Sequence, residues 1–264
     1  MNTEYKIFDS HAHYDDEEFD DDRKEIIEEL KNDGVIGIMN CSSSYKSIAK
    51  TCELINTWDF IYGAVGIHPE NADEFKDEML EEFKEIIKKN PKVKAIGEIG
   101  LDYYWDENPD KEIQKDVFRK HMKLAEELNL PVIIHDREAH EDTLNIIKEF
   151  PNVRGVVHCF SGSVEFAKEC LKLGYYIGIT GVVTFKNSKK VKQVVKEVPV
   201  EKLLVETDCP YMAPEPKRGT RNDSSNIPYV IEKIASIKGI TAGEVEDITR
   251  KNAFNLFRKI KRWE

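Results

Sequence analysis

Lys6-Ile7-Phe8-Asp9-Ser10-His11-Ala12-His13 is a short apolar run that ends in two imidazoles, and its pattern recurs along the chain. Its β-branched and aromatic residues read as a strand. Seven more such runs follow: Val35–Cys41, Ile61–Ile67, Val93–Leu101, Pro131–His135, Gly155–Phe160, Tyr175–Gly181 and Leu203–Asp208. Charged, amphipathic stretches separate them. In one, Asn108-Pro109 opens a segment that places Ile113, Val117, Leu124 and Leu128 on a helical period. Asn90-Pro91 and Asn129-Leu130-Pro131 read as turns that stop a helix and start the next strand. Thr241-x-x-Glu244 is a capping box for a last helix running through Asn252 and Phe257. The runs are continuous rather than alternating, as expected of strands covered on both faces in a parallel sheet. Eight βα units in 264 residues match the α/β class and a TIM-like (β/α)8 barrel. A doubly wound sheet would show fewer strands and a glycine-rich first turn, where this chain has Asp9-Ser10-His11-Ala12-His13. No composition shift or low-complexity linker interrupts the pattern, so one domain over residues 1–264 is expected.

Composition narrows the function classes. With 40% hydrophobic and 34% charged residues, the chain is neither disordered nor collagen-like. Five cysteines without CxxC pairing argue against a disulfide scaffold and for a reducing, cytoplasmic setting. The first ten residues carry no basic segment followed by an apolar one, so no secretory leader is expected. The longest weakly polar run, Tyr175–Phe185, falls far short of the roughly 18 residues of a membrane span. A net charge of −11 argues against a broad basic footprint for nucleic acid. A polyanion would have to be met by locally concentrated positive charge, from bound metal or a small Lys/Arg patch.

In a barrel, the last residue or two of each strand face the mouth where chemistry happens. His11 and His13, with one residue between them, fall on the same face of the first strand. The third strand ends at Gly66-Ile67-His68-Pro69, the fourth carries Glu98, the fifth and sixth end in His135 and His158, and the eighth ends in Glu206-Thr207-Asp208. Five of the seven histidines therefore sit at strand ends, which independent structural histidines have no reason to do. Imidazole and carboxylate on converging elements suit zinc, manganese or iron. Four histidines with Glu98 and Asp208 exceed one four-coordinate ion, so two divalent ions are expected. A carboxylate can bridge two cations, which makes Glu98 the bridge, and such a pair is the clamp used for in-line displacement at phosphorus.

The remaining polar residues read more plainly. His121 lies on an apolar helical stripe and reads as a packing residue, while His140 reads as a surface residue in the first turn of a helix. The cysteines read as small buried hydrophobes, and Cys159 and Cys209, though next to proposed ligands, point the other way. The acidic run from Asp15 to Asp22 reads as a solvated loop, with Asp15 or Asp16 in reach of a site water. Arg137, Lys217, Arg218 and Arg221 are expected phosphate contacts at the rim. Lys186, Lys189, Lys190, Lys192 and Lys196 read equally as an exposed helix face or a nucleic-acid stripe.

Taken in order, Phe8-Asp9-Ser10-His11-Ala12-His13, Gly66-Ile67-His68-Pro69, Gly97-Glu98-Ile99-Gly100-Leu101-Asp102, Pro131–His135, His158-Cys159-Phe160-Ser161-Gly162, Glu206-Thr207-Asp208-Cys209-Pro210-Tyr211 and Asn252–Phe257 resemble the TatD family of metal-dependent hydrolases. The resemblance implies a deoxyribonuclease on a TIM-like barrel with two divalent ions, zinc, magnesium or manganese. By this likeness His11, His13 and Asp208 hold one ion, His135 and His158 the other, Glu98 bridges them, and His68 lies near the substrate phosphate. The family's loop after Glu-Thr-Asp often reads Arg-Asn-Glu-Pro; here Arg221-Asn222 is followed by Asp223-Ser224-Ser225-Asn226, with proline only at Pro228. Related amidohydrolases commonly bridge their metals with a carboxylated lysine, where this chain has Glu98.

The leading expectation is hydrolysis of DNA phosphodiester bonds from a strand end, 3′ to 5′. Asp208 is the expected ligand and proton acceptor for the attacking water, and His68, Arg137 and Arg221 the expected substrate contacts. A rival keeps the metals but acts on a carboxyl ester, amide or aminoacyl-RNA, since the fold does not choose between attack at carbon and at phosphorus. A third reading is a catalytically silent metal- or nucleic-acid-binding protein, against which the complete ligand set argues. A monomer without membrane association is expected.

Overall fold

β1 (Ile7–Ala12) opens a set of eight parallel strands completed by β2 (Val35–Cys41), β3 (Ile61–Val65), β4 (Val93–Asp102), β5 (Val132–Arg137), β6 (Gly155–Val157), β7 (Tyr176–Ile179) and β8 (Leu203–Val205). This computed structural model describes residues 5–257; residues 1–4, within the stretch searched for a secretory leader, and 258–264, at the end of the expected domain, lie outside the described residues. Hydrogen bonds join the strands in chain order from β1 to β8. The ring closes at one end only, through the bridge of Ala12 with Cys209. There Asp208 N donates to His11 O at 3.0 Å and His13 N to Cys209 O at 2.9 Å. This is the expected TIM-like barrel, nearly closed and wrapped by helices.

The helices are α1 (Arg23–Leu30), α2 (Tyr45–Thr57), α3 (Glu78–Lys89), α4 (Lys111–Leu128), α5 (His140–Glu149), α6 (Val164–Lys172), α7 (Lys189–Glu197), α8 (Ile227–Lys238) and α9 (Ala242–Leu256). Their ends follow local chemistry. Ser44 and Thr241 each close a reciprocal capping box, the second being the one expected from Thr241-x-x-Glu244. Asn129, at φ 50°, ends α4 in the left-handed conformation that asparagine tolerates. None of these helices is long and apolar enough to cross a membrane.

Two apolar layers result. The larger packs the outer faces of the strands against the helices. The smaller fills the barrel with Phe8, Met39, Tyr62, Ala95, Ile133, Val156 and Leu204, and Leu256 and Phe257 at the end of α9 plug it. Phe8 meets the Phe257 ring at 6.0 Å and that of Phe254 at 5.6 Å. Side chains two residues further along a strand share its face. The interior file therefore runs from Ile133 to His135, from Val156 to His158 and from Leu204 to Glu206, out of the apolar plug and into the mouth.

His121 is fully buried on α4 beside Phe75 and Phe83, as its apolar stripe predicts. Its Nδ1 lies 2.8 Å from Val117 O, where only a donated N–H fits. Burial pushes its pKa down to about 4, with the Val117 carbonyl acting weakly the other way. The unfolded chain takes up this proton near pH 6.5 and the folded chain only near 4, so stability falls as pH drops through that window. A shift of this size is worth about 3 kcal/mol. Denaturant unfolding at several pH values should show that His121→Leu loses roughly this much acid sensitivity between pH 6.5 and 4 relative to the parent chain.

Candidate metal centre

Glu98, on β4, stands at the floor of the barrel mouth and is 3% exposed. Its two carboxylate oxygens divide the surrounding imidazoles. Oε2 lies 3.3 Å from Nε2 of both His11 and His13. Oε1 lies 2.7 Å from His158 Nε2, 3.0 Å from His135 Nδ1 and 3.5 Å from His68 Nε2. Asp208 joins the first group, with Oδ1 3.5 Å from His11 Nε2 and 3.6 Å from His13 Nε2. Ligand atoms of His11, His13 and Glu98, of His11, His158 and Asp208, and of His68, Glu98 and His135 each lie within 4.8 Å of one another. The six residues expected to hold metal are thus brought together, and His68 comes as close to Glu98 as some of them.

The donor set fits divalent cations by its hydrogen bonding. His13 Nδ1 faces Cys41 O at 2.8 Å and donates to it, which turns Nε2 inward. His135 Nε2 faces Asp102 Oδ2 at 3.0 Å, which turns Nδ1 inward. The inward nitrogens of His11 and His13 are then 2.9 Å apart, and those of His135 and His158 are 3.3 Å apart. Two facing lone pairs would repel at that range, so each pair needs a shared proton or a cation between them. Burial lowers His11 to about 4 and His68 to about 3, so these two stay neutral near pH 7. Burial also acts to lower His13 and His135, yet Asp208 and Glu98 around the first, and Asp102 and Glu98 around the second, raise both. Burial acts to raise Glu98, but the surrounding imidazoles, His158 first among them, hold it well below the ordinary carboxylate range. Protons on His13 and His135 thus supply the charge that these carboxylates demand, and cations would displace them onto the same donors.

Behind these residues lies a second set of contacts that the sequence reading passed over. Asp9 Oδ2 accepts from Thr207 Oγ1 at 2.6 Å and Ser224 Oγ at 2.7 Å, and Oδ1 accepts from the Thr207 and His11 amides at 3.0 and 3.2 Å. It thereby ties the strand carrying His11 to the turn carrying Asp208. Glu206, fully buried, accepts from Cys159 N at 2.5 Å and from Ser10 Oγ at 3.1 Å. It has room only because residue 178 is glycine, where a Cβ would stand 2.5 Å from its carboxylate. Gly100, at φ +143°, likewise lets β4 pass His135, since a Cβ there would stand 2.0 Å from His135 O. Asp102, Asp9 and Glu206 all fall inside quoted motifs, but their partners are set by strand register, which the sequence does not display.

The site opens into a cavity of about 930 Å³. Its rim carries charge of both signs. Asp15, Asp16 and Glu70 line it after β1 and β3, Arg137 lines it at the end of β5 between Asp136 and Glu138, and Lys189 and Lys190 line it after β7. The lysine run therefore splits: Lys189 and Lys190 reach the cavity, whereas Lys192 turns back to the carbonyl of Phe185. Arg221 is not brought there. Its guanidinium is held by Asp22 at 2.5 and 2.9 Å, and with Arg218 it borders a separate, smaller cleft. His140 is not a bland surface residue, because its Nδ1 lies 2.5 Å from Asp136 Oδ2 and its ring stacks on Phe166 at 4.9 Å. Cys159 lines the cavity, but burial raises its thiol well above the usual range, and the metal-competent groups among the described residues contain no cysteine.

Residues 8–258 match the family model described as TatD related DNase. The chain belongs to the TatD family of metal-dependent hydrolases. It is 48% identical over 254 residues, 96% of this chain and 99% of the relative, to an uncharacterized metal-dependent hydrolase, YabD, of Bacillus subtilis. It is 34% identical over 257 residues, 95% of each chain, to another such protein, YcfH, of Escherichia coli K12. Among solved structures, the TatD homolog YjjV of Escherichia coli superposes with a TM-score of 0.90 at 30% identity, covering 97% of this chain and 99% of the other. A TatD family hydrolase of Entamoeba histolytica gives 0.87 at 28%, covering 96% and 98%. Family membership agrees with the motif resemblance and adds weight to the barrel mouth as the working site.

Asp102 acts on His135 from the side away from Glu98. Removing such a partner typically weakens metal binding about 10- to 100-fold. Asp102→Ala should show that loss in calorimetric titration with manganese, and unchanged affinity would mean that His135 needs no orienting partner.

Proposed function

We propose that the chain is a two-metal deoxyribonuclease that removes nucleotides from a DNA strand end, in the 3′ to 5′ direction. The observation that carries this reading is the division of imidazoles across the two oxygens of Glu98, which gives each oxygen its own donor group. His11, His13 and Asp208 would hold one cation and His135 and His158 the other, with Glu98 between them. Zinc, magnesium or manganese held there would supply Lewis acidity, easing ionisation of water near neutral pH and offsetting charge at phosphorus.

The chain's own residues set the rest. Asp208 is the more open of the two carboxylates, its side chain 13% exposed against 4% for Glu98. It is the group placed to take a proton from water arriving through the cavity. His68 on the floor and Arg137 on the wall are positioned to orient a phosphodiester, with Lys189 and Lys190 beyond. The floor lies deep in the barrel end, with His11 fully buried, so an end of a strand reaches it more readily than the middle of a duplex.

A time course with end-labelled DNA and added manganese, magnesium or zinc should release mononucleotides progressively from the 3′ end, and chelation should stop release. Asp208→Asn should lower turnover about 10²- to 10⁴-fold while the thermal melt still reports a folded barrel. Turnover of carboxyl esters with DNA left intact would place the attack at carbon and overturn the reading.

A further inference from the structure

Large apolar side chains rarely stay in water, and here the exposed ones gather at the mouth. Of six such residues among those described, Tyr104 (51%), Trp105 (53%), Tyr211 (49%) and Met212 (38%) line the same cavity. Tyr104 and Trp105 follow β4 and meet edge to face, 4.8 Å between centroids at 87°. The guanidinium of Arg137 lies over both rings, 4.0 Å from Tyr104 and 5.3 Å from Trp105. This ledge is registered to the floor of the site. The Tyr104 amide donates to Asp102 Oδ1 at 2.9 Å, and Asp102 Oδ2 is the partner of His135.

Two half-exposed rings form too small a patch for a protein partner, and a chain of net charge −11 gains nothing at an anionic membrane. A planar, electron-rich ring carried next to a phosphate matches all three features: flat apolar faces, an adjacent cation, and a hydrolytic floor. We propose that Tyr104, Trp105 and Arg137 form a stacking subsite for the nucleobase that adjoins the scissile phosphate. This deepens the nuclease reading and rests on it. The base would lie against the aromatic ledge while Arg137 spans from ring face to phosphate, so the substrate is gripped by its base as well as its backbone. Recognition of this kind tolerates any base, because every base offers a π-face.

The test separates base from phosphate. Manganese-loaded full-length chain is titrated calorimetrically with dAMP and with 1,2-dideoxyribose 5-phosphate, in which hydrogen replaces the base at C1′ and the ring cannot open. The parent chain should prefer dAMP. Trp105→Ala should weaken dAMP roughly 5- to 100-fold and leave dideoxyribose phosphate within about twofold, whereas Trp105→Phe should keep most of the preference. Tyr104→Ala provides a second exposed truncation, and melting curves check that each variant is folded. No preference in the parent chain, no loss in Trp105→Ala, or equal loss for both ligands overturns the subsite. Cleavage of DNA with such a result would leave the nuclease reading standing alone. Preference for dAMP without cleavage of DNA would do the reverse.

Discussion

A carboxylate enclosed by five imidazoles is the constraint around which the mouth of this barrel is organised. Removing an ion from water costs several kcal/mol even after relaxation, and Glu98 is almost wholly out of water. It stays ionised because imidazoles from β1, β5 and the turns after β3 and β6 converge on both of its oxygens. Those imidazoles are held in turn by a carbonyl of β2 and a carboxylate of β4. Each layer exists to satisfy the one inside it. The same demand explains why so many polar groups lie buried at one end of a barrel whose other end is plugged by Phe8, Leu256 and Phe257. Apolar packing supplies the stability there, and the mouth is left to charge.

That division of labour decides what the sequence displays. Strands buried on both faces show as apolar runs, so all eight are visible, and β2 has the limits that its run predicts. The ends are less legible. The run Leu203–Asp208 reads as one strand, but the ladder stops at Val205, because Asp208 adopts φ 57° to bring its carboxylate beside His11 and His13. Gly155–Phe160 shortens in the same way, with Cys159 at φ 41° just past His158. Left-handed geometry in residues with a Cβ is sustained only where surrounding contacts enforce it. At Cys159 and Asp208 it occurs where strands hand over to the site. β4 instead runs one residue past Leu101, carrying Asp102 into register with Arg137 and alongside His135.

The inner residues of the site were legible because they repeat a rule, an imidazole or carboxylate at a strand end. Their supports were not, because no local rule pairs Asp9 with Ser224 or Asp102 with His135. Arg221 shows the same limit from the other side. Its charge was legible, but Asp22, 199 residues earlier in the chain, captures it, and no spacing in the sequence announces that pair. Arg137 at the rim lies instead over the Tyr104 ring and lines the cavity.

The local charge at the rim reconciles a net charge of −11 with the polyanionic substrate proposed for the site. Beyond about 8–10 Å at physiological salt, exposed charges on distant helices are screened and exert little pull on a phosphate at the mouth. What an incoming strand meets is the local sequence of groups. Arg137, Lys189 and Lys190 line the cavity from β5 to β7, with Glu138 among them, and Asp15, Asp16 and Glu70 line it after β1 and β3. On the nuclease reading, such a rim would draw a phosphate backbone toward Arg137, Lys189 and Lys190 and away from Asp15, Asp16 and Glu70. The acidic residues would then have a use, since a strand free to lie across either side would present its phosphates to the floor in more than one pose. The directional cleavage proposed for the site would require a single pose, and unevenly placed charge above a centre with two unlike donor groups is the simplest arrangement that would provide it.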